Sequence, residues 1–445
     1  VKRLLASRNA RLYLSGQVFS LFGDVALWLA MGIWVKELTG SSGEAGLTFF
    51  FFGLATLLAP LAGLIVDRVR RRPLLIAANL TGAVIVLGLL GVHDRRQVWL
   101  IWLVMFLYGT VYAFLSSAQS ALLVTMLHED QLADANGFLQ TAREGLRLVG
   151  PLTGAGLFAA FGGATVAIMD SATFVIAAAA LSLVHLTEEK PVPTEQHWFA
   201  EVTAGVTHLW RTIVLRQFVV AVAIACLVFG MFESIAFAVV GQGLHRPPTF
   251  LGVVIAVQGI GAVVGGVLSA RLIKRFGEGP VGGIGLVAAA VGSVLFLVGG
   301  LPAVFAGAIV LGASLPPIIV AFMTSLQRRT PMELQGRTSS AADTLTSVPQ
   351  TISIAVGAIL VSIVDYRYLL AAIAVVVLLA AVYLLTRREQ WERLPLAAAV
   401  PVLGEAVLEL ASDSELFAPG GSAATFESLG ESVSPGETTE TTEMG

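Results

Sequence analysis

The chain has 445 residues, 56% of them hydrophobic and only 13% charged, with a mean hydropathy of +0.83 and a formal net charge of −3. A soluble domain runs at about 45–50% apolar and about 25% charged, so water is the wrong solvent for most of this surface, and a near-neutral balance offers no field for nucleic acid. One cysteine, Cys226, excludes disulfides and thiolate metal sites.

A helix crosses a bilayer with about 20 mostly apolar residues, rising about 1.5 Å each through roughly 30 Å of hydrocarbon. Twelve stretches meet that demand: 12–35, 46–67, 74–92, 98–120, 137–160, 164–185, 217–240, 250–272, 281–300, 302–325, 338–363 and 367–386. Helices are the spanning form because unpaired amides would otherwise face lipid. The expected fold is all-α, with twelve transmembrane helices in two pseudo-symmetric six-helix bundles. No small-residue cleavage site follows the first stretch cleanly, so it reads as a retained span rather than a signal peptide.

In that first span Asp24 follows Gly23 and stands between Phe22 and Trp28. An ionised group at this depth costs at least about 2.5–3.5 kcal/mol, so it should face a cavity, be paired or be protonated. Proton exchange and a fixed pair with an arginine both fit.

The second span opens with Phe49 to Phe52, which line an apolar pocket or meet lipid, and ends in Gly63-Leu64-Ile65-Val66-Asp67-Arg68-Val69-Arg70-Arg71-Arg72. Glycine lets backbones approach, the acid can pair with a helix end or a base, and arginines suit anionic headgroups. Anchoring accounts for Arg70 to Arg72. Gly63 with Asp67 four positions later points instead to a conformational latch that includes Arg68, Arg71 and Arg72.

The fifth span carries Arg143, Glu144 and Arg147, the two arginines on one helical face and Glu144 about 100° away. Arg147 lies roughly 15 Å deeper than Gly137, where the span begins. Arg147 and Glu144 are therefore expected to face the cavity or the seam between halves, with snorkelling the alternative for Arg143. Gly150-Pro151-Leu152-Thr153-Gly154 then makes a close-packed bend, since proline removes a donor and glycines admit a neighbouring helix. Asp170, early in the sixth span, is expected near the outer interface.

Between residues 187 and 216 the chain turns polar, with Pro191 and Pro193, and separates six spans from six. Glu233 lies deep in the seventh span and is the second candidate for substrate or proton handling. About 200 residues after the first basic loop, Gly266-Val267-Leu268-Ser269-Ala270-Arg271-Leu272-Ile273-Lys274-Arg275 repeats its placement, the mark of a duplicated chain. Asp343 lies in the eleventh span. From Leu396 to Gly445 there are nine acidic residues and no Lys or Arg, a solvated tail by composition.

With the N-terminus inside, 20 lysines and arginines fall on inner segments against five on outer ones, namely Lys36, Arg95, Arg96, Arg246 and Arg367. Both termini are therefore expected to be cytoplasmic. The domains read as 1–186 and 217–388, one bundle each, joined by the cytoplasmic linker 187–216 and followed by the tail 389–445. The six histidines show no metal-binding spacing, and no Gly-rich phosphate loop is present. No cofactor and no enzymatic nucleophile–base set is expected.

These motifs resemble the Major Facilitator Superfamily over residues 8–388, in particular bacterial macrolide-efflux and siderophore-exporter-like proteins. The family loop between spans two and three is matched by Gly63, Asp67, Arg68, Arg71 and Arg72, with Arg70 where it has glycine. The second copy keeps Gly266, Arg271, Lys274 and Arg275 but has Ala270 for the acid. The fifth-span antiporter signature is met by Gly137, Gly150, Pro151 and Gly154, while Leu146 and Ala155 replace glycines. The resemblance implies a monomer in the bacterial inner membrane that exports an amphipathic or apolar small molecule against protons, using alternating access by two repeats. Siderophore, lipid or metabolite transport by the same fold is the alternative, and a non-transporting receptor or scaffold the remote one.

Overall fold

The computed structural model of the protein describes residues 7–66, 68–127, 129–186, 198–331 and 334–391. Among them are no strands. The helices run α1 Arg8–Thr39, α2 Ser42–Thr56, α3 Ala59–Val66, α4 Arg71–Leu87, α5 Val98–Met126, α6 Glu129–Phe161, α7 Gly163–Leu183 and α8 Trp198–Arg211. The second half continues with α9 Ile213–Phe229, α10 Phe232–Ala238, α11 Leu251–Phe276, α12 Glu278–Val298, α13 Leu301–Arg329, α14 Gln335–Ile363 and α15 Tyr366–Leu385.

Ten helices among the described residues are long and apolar enough to cross a membrane. The other two expected spans take different forms. The stretch 46–67 divides at Leu57 and Leu58 into α2 and α3, because Pro60 has no amide hydrogen to give the Thr56 carbonyl. The stretch 137–160 lies in α6, which is long enough but carries Arg143, Glu144 and Arg147. The seventh span is also broken. Gly230 and Met231 separate α9 from α10, where the Met231 amide is shared between the Val228 carbonyl at 3.2 Å and Ser353 Oγ at 3.1 Å. Ser or Thr commonly satisfies backbone released inside a membrane helix in this way. A π turn, Val239–Gly243, ends the segment.

Large apolar side chains face outward, Val84 at 70%, Val298 at 72% and Ile363 at 74% exposure. Such a surface suits lipid and would be a liability in water. Inside, α1 packs on α6 and α7, α4 on α5 and α7, and α2 on α5. In the second half α12 packs on α13 and α15, α11 on α13, and α9 on α14 and α15.

One end of the bundle is basic. There Arg72 donates to the last carbonyls of α7, Leu181 O at 3.0 Å and Ser182 O at 2.7 Å, and Arg71 reaches Thr125 Oγ1 at 3.0 Å. Arg328 meets Glu278 at 2.8 Å, where the carboxylate also complements the N-terminal turn of α12. The segment expected as linker contains α8, whose His208 ring lies 3.0 Å from the Arg329 carbonyl. Just beyond the last span, Glu389 accepts from Gln217 Nε2 at 3.3 Å. The hydrogen bond to its own backbone amide and then Gln217 hold this carboxyl below the usual range.

Contacts between the first and second halves of the chain are concentrated toward the opposite end. Helix α2 meets α14 and α10, and α6 meets α11. A Cβ at Gly43 would strike the Ala358 carbonyl, one at Gly53 would lie 3.9 Å from Thr351 Cβ, and one at Gly252 would lie 2.7 Å from Ala155 Cβ. Toward the basic end, nothing comes within 4 Å of a Cβ placed on Gly63 or Gly145.

Candidate functional site

Asp24 is positioned by α1 at the level where α5, α6 and α7 converge on it. Tyr108 of α5 donates its hydroxyl to Asp24 Oδ1. The Tyr108 ring is held edge-on to Phe174 of α7, centroids 5.8 Å apart, and beside Phe52 of α2 at 5.9 Å. Phe52 also touches Tyr112, 5.6 Å away. Asp24 is half-buried, whereas the core around it is sealed.

The glycines around Pro151 in α6 let that helix dock on α1 beside Asp24. A Cβ at Gly150 would lie 2.7 Å from Val25 Cγ1, and one at Gly154 would strike the Ala26 carbonyl. Only glycine permits so close an approach. The same helix presents Arg143, which acts electrostatically on Asp24 and Tyr112, and one turn later Arg147, which acts on Glu233 of the second half. Both arginines are exposed, and Glu233 is half-buried at the broken part of the seventh span. Asp24's basic neighbour is thus Arg143. Arg143 and Arg147 share one face, so their depth along α6 decides which of them meets Asp24, and tertiary packing sets the level at which α6 docks on α1. Glu144 belongs to α6 by its backbone, and its side chain lies outside the described residues.

Asp170 departs from expectation. Instead of lying near an interface it is fully buried on α7, against Gly23, where a Cβ would run into Asp170 Oδ1 and Thr173 Oγ1. Sequence reasoning also missed Tyr108, since a tyrosine in an apolar run reads as core. Nearer the closed end, Trp28, Phe49 and Phe237 form a chain across the halves, with centroids 4.3 Å and 6.2 Å apart.

The basic-loop residues are spread out. Asp67 lies outside the described residues. Arg71 and Arg72 are tethered to α5 and α7 as described. Arg68 follows α3 in a turn. Gly63 makes no close approach here, and Gly266 has only Pro316 Cβ at 4.0 Å. Arg271, Lys274 and Arg275 end α11, where cations offset the helix dipole, and Arg275 lies over the Phe276 ring at 5.3 Å. Among the described residues no group of three or more His, Cys, Asp or Glu is placed to hold a metal ion.

Apolar helices exposed to lipid, broken spans and charges held inside the bundle define a multi-pass membrane transporter architecture. The chain belongs to the Major Facilitator Superfamily, whose family model matches residues 13–241 and 224–414. Its members are transport proteins rather than enzymes. Similar proteins include the uncharacterized MFS-type transporter YjbB of Bacillus subtilis, 27% identical over 62% of this chain and 68% of that protein. Macrolide efflux protein A of Streptococcus pyogenes is 26% identical over 39% of this chain and 43% of its own length. Among solved structures, a bacterial homologue of the iron transporter ferroportin in its inward-facing state has a TM-score of 0.66 at 17% identity, covering 87% of this chain and 99% of that one. This last likeness concerns the fold.

Proposed function

We propose that this protein is a proton-coupled exporter of an amphipathic or apolar small molecule, working by alternating access in a bacterial inner membrane. The reading rests on one face of α6, where Arg143 acts electrostatically on Asp24 of the first half and Arg147 on Glu233 of the second. Protonating either acid weakens its hold on the arginine beside it, so a proton can change how the halves are tied. The basic end is the cytoplasmic one by its charge. With the seam tight at the other end, substrate enters from the cytoplasm between residues 1–186 and 217–388, the two bundles of this reading. Outward opening then requires the basic end to close, and Gly63 and Gly266, with the loops that follow them, are where the halves gain contact. Asp67 is the acid of that latch.

The test uses inverted membrane vesicles and erythromycin, a macrolide chosen from the relative's name. The expected result is erythromycin accumulation driven by an inward-acid gradient, with proton release from the vesicles. Asp24→Asn should abolish that release while keeping erythromycin binding within roughly tenfold, or about 1.4 kcal/mol. Full proton-coupled flux in that variant would remove Asp24 from the mechanism, and accumulation without any gradient would remove the coupling.

A further inference from the structure

We propose that Asp170 is the second member of a proton-binding pair with Asp24, the two carboxyls holding one proton between them. Asp170 has no accessible surface, and its Oδ2 has no hydrogen-bond partner. Its Oδ1 faces Thr173 Oγ1 at 3.4 Å, but that hydroxyl has one proton and a shorter acceptor, the Asp170 carbonyl at 2.7 Å. A buried carboxylate with no firm donor and no cation against it is a costly anion. Its charged neighbour is Asp24, which adds repulsion.

Gly23 directly precedes Asp24, and its missing side chain is what lets Asp170 Oδ1 lie against α1 at that turn, while Tyr108, the donor to Asp24, is acted on by both acids. The groups around the pair are few. Helix α1 gives Asp24, α5 gives Tyr108 and Tyr112, and α6 gives Arg143, which acts on Asp24. Helix α4 meets α7 here through Gly82 and Ala83 and adds no titratable group. The half-buried Asp24 is the member that exchanges protons with the cavity, and the sealed Asp170 is the store. The inference rests on the proton-coupled reading for its meaning in transport, though not for its chemistry.

Infrared titration of the purified protein tests it, following the carbonyl stretch of protonated carboxyls in the difference between wild type and an Asp24→Asn, Asp170→Asn double variant. The pair should lose its protons in two steps that belong to both residues together, as coupled acids do. Either single variant should leave one step, shifted from both wild-type steps. Superimposable wild-type and Asp170→Asn curves would overturn the pair, as would two single variants whose losses simply add. Should Asp170→Asn fail to fold, carbon-13 aspartate in the unsubstituted protein serves: a protonated aspartate band near neutrality supports the pair, and its absence refutes it. The two readings fail separately. Erythromycin flux coupled to protons with an unchanged Asp170→Asn titration sinks the pair alone, whereas a titrating pair with uncoupled flux sinks the coupling alone.

Discussion

Gly23 is the residue on which the acidic site turns. A methyl there must displace the Asp170 carboxyl and the Thr173 hydroxyl, both held in a sealed layer between α1 and α7. Overpacking of this kind costs about 1–3 kcal/mol, so Gly23→Ala should lower the melting temperature of the purified protein, while Gly156→Ala, whose Cβ meets nothing within 4 Å, should leave it nearly unchanged. Equal melting temperatures for the two variants would show that the layer yields. Asp24 was legible in the sequence because an acid amid apolar residues must be explained by a cavity, a partner or a proton. Its tyrosine donor was not, since nothing in the run around Tyr108 separates it from ordinary core. Asp170 was visible as an acid but misplaced, because depth along α7 says nothing about which neighbours seal it.

Helices show the same division between what pattern determines and what packing determines. Apolar length located ten spans among the described residues, yet the split of α2 from α3 and the break at Gly230 depend on which backbone groups find other partners. Pro60 was a readable signal for the first. For the second, the Ser353 hydroxyl that accepts the Met231 amide comes from a helix more than a hundred residues away. Gly150-Pro151 and Gly154 stand out in the sequence as a small-residue stretch, and in α6 these glycines dock tightly on Val25 and Ala26 next to Asp24. Gly154→Ala forces a methyl against the Ala26 carbonyl, a backbone atom that cannot rotate away. A loss of about 1–3 kcal/mol in unfolding stability is expected, with weakened proton release because Arg143 moves with α6. Proton release at the wild-type level from a clearly destabilised Gly154→Ala protein would mean that α6 packing and the Asp24 site are independent.

Over the whole molecule, the decisive feature is the contrast between the two ends of the seam. Helices α2 and α14 approach so closely that a Cβ at Gly53 lies 3.9 Å from Thr351 Cβ, within the spacing of about 3.5–4.5 Å that a disulfide needs. Cys226 is the one native thiol, so replacing it with alanine gives a background in which Gly53→Cys with Thr351→Cys can be joined by oxidation. Transport by alternating access requires this seam to part once in every cycle. Oxidised protein should therefore retain erythromycin binding from the basic end yet lose vesicle flux, and reductant should restore the flux. If the halves instead pivot about α2 and α14 without separating there, the cross-linked protein will transport at its reduced rate, and the opening must be sought between α6 and α11.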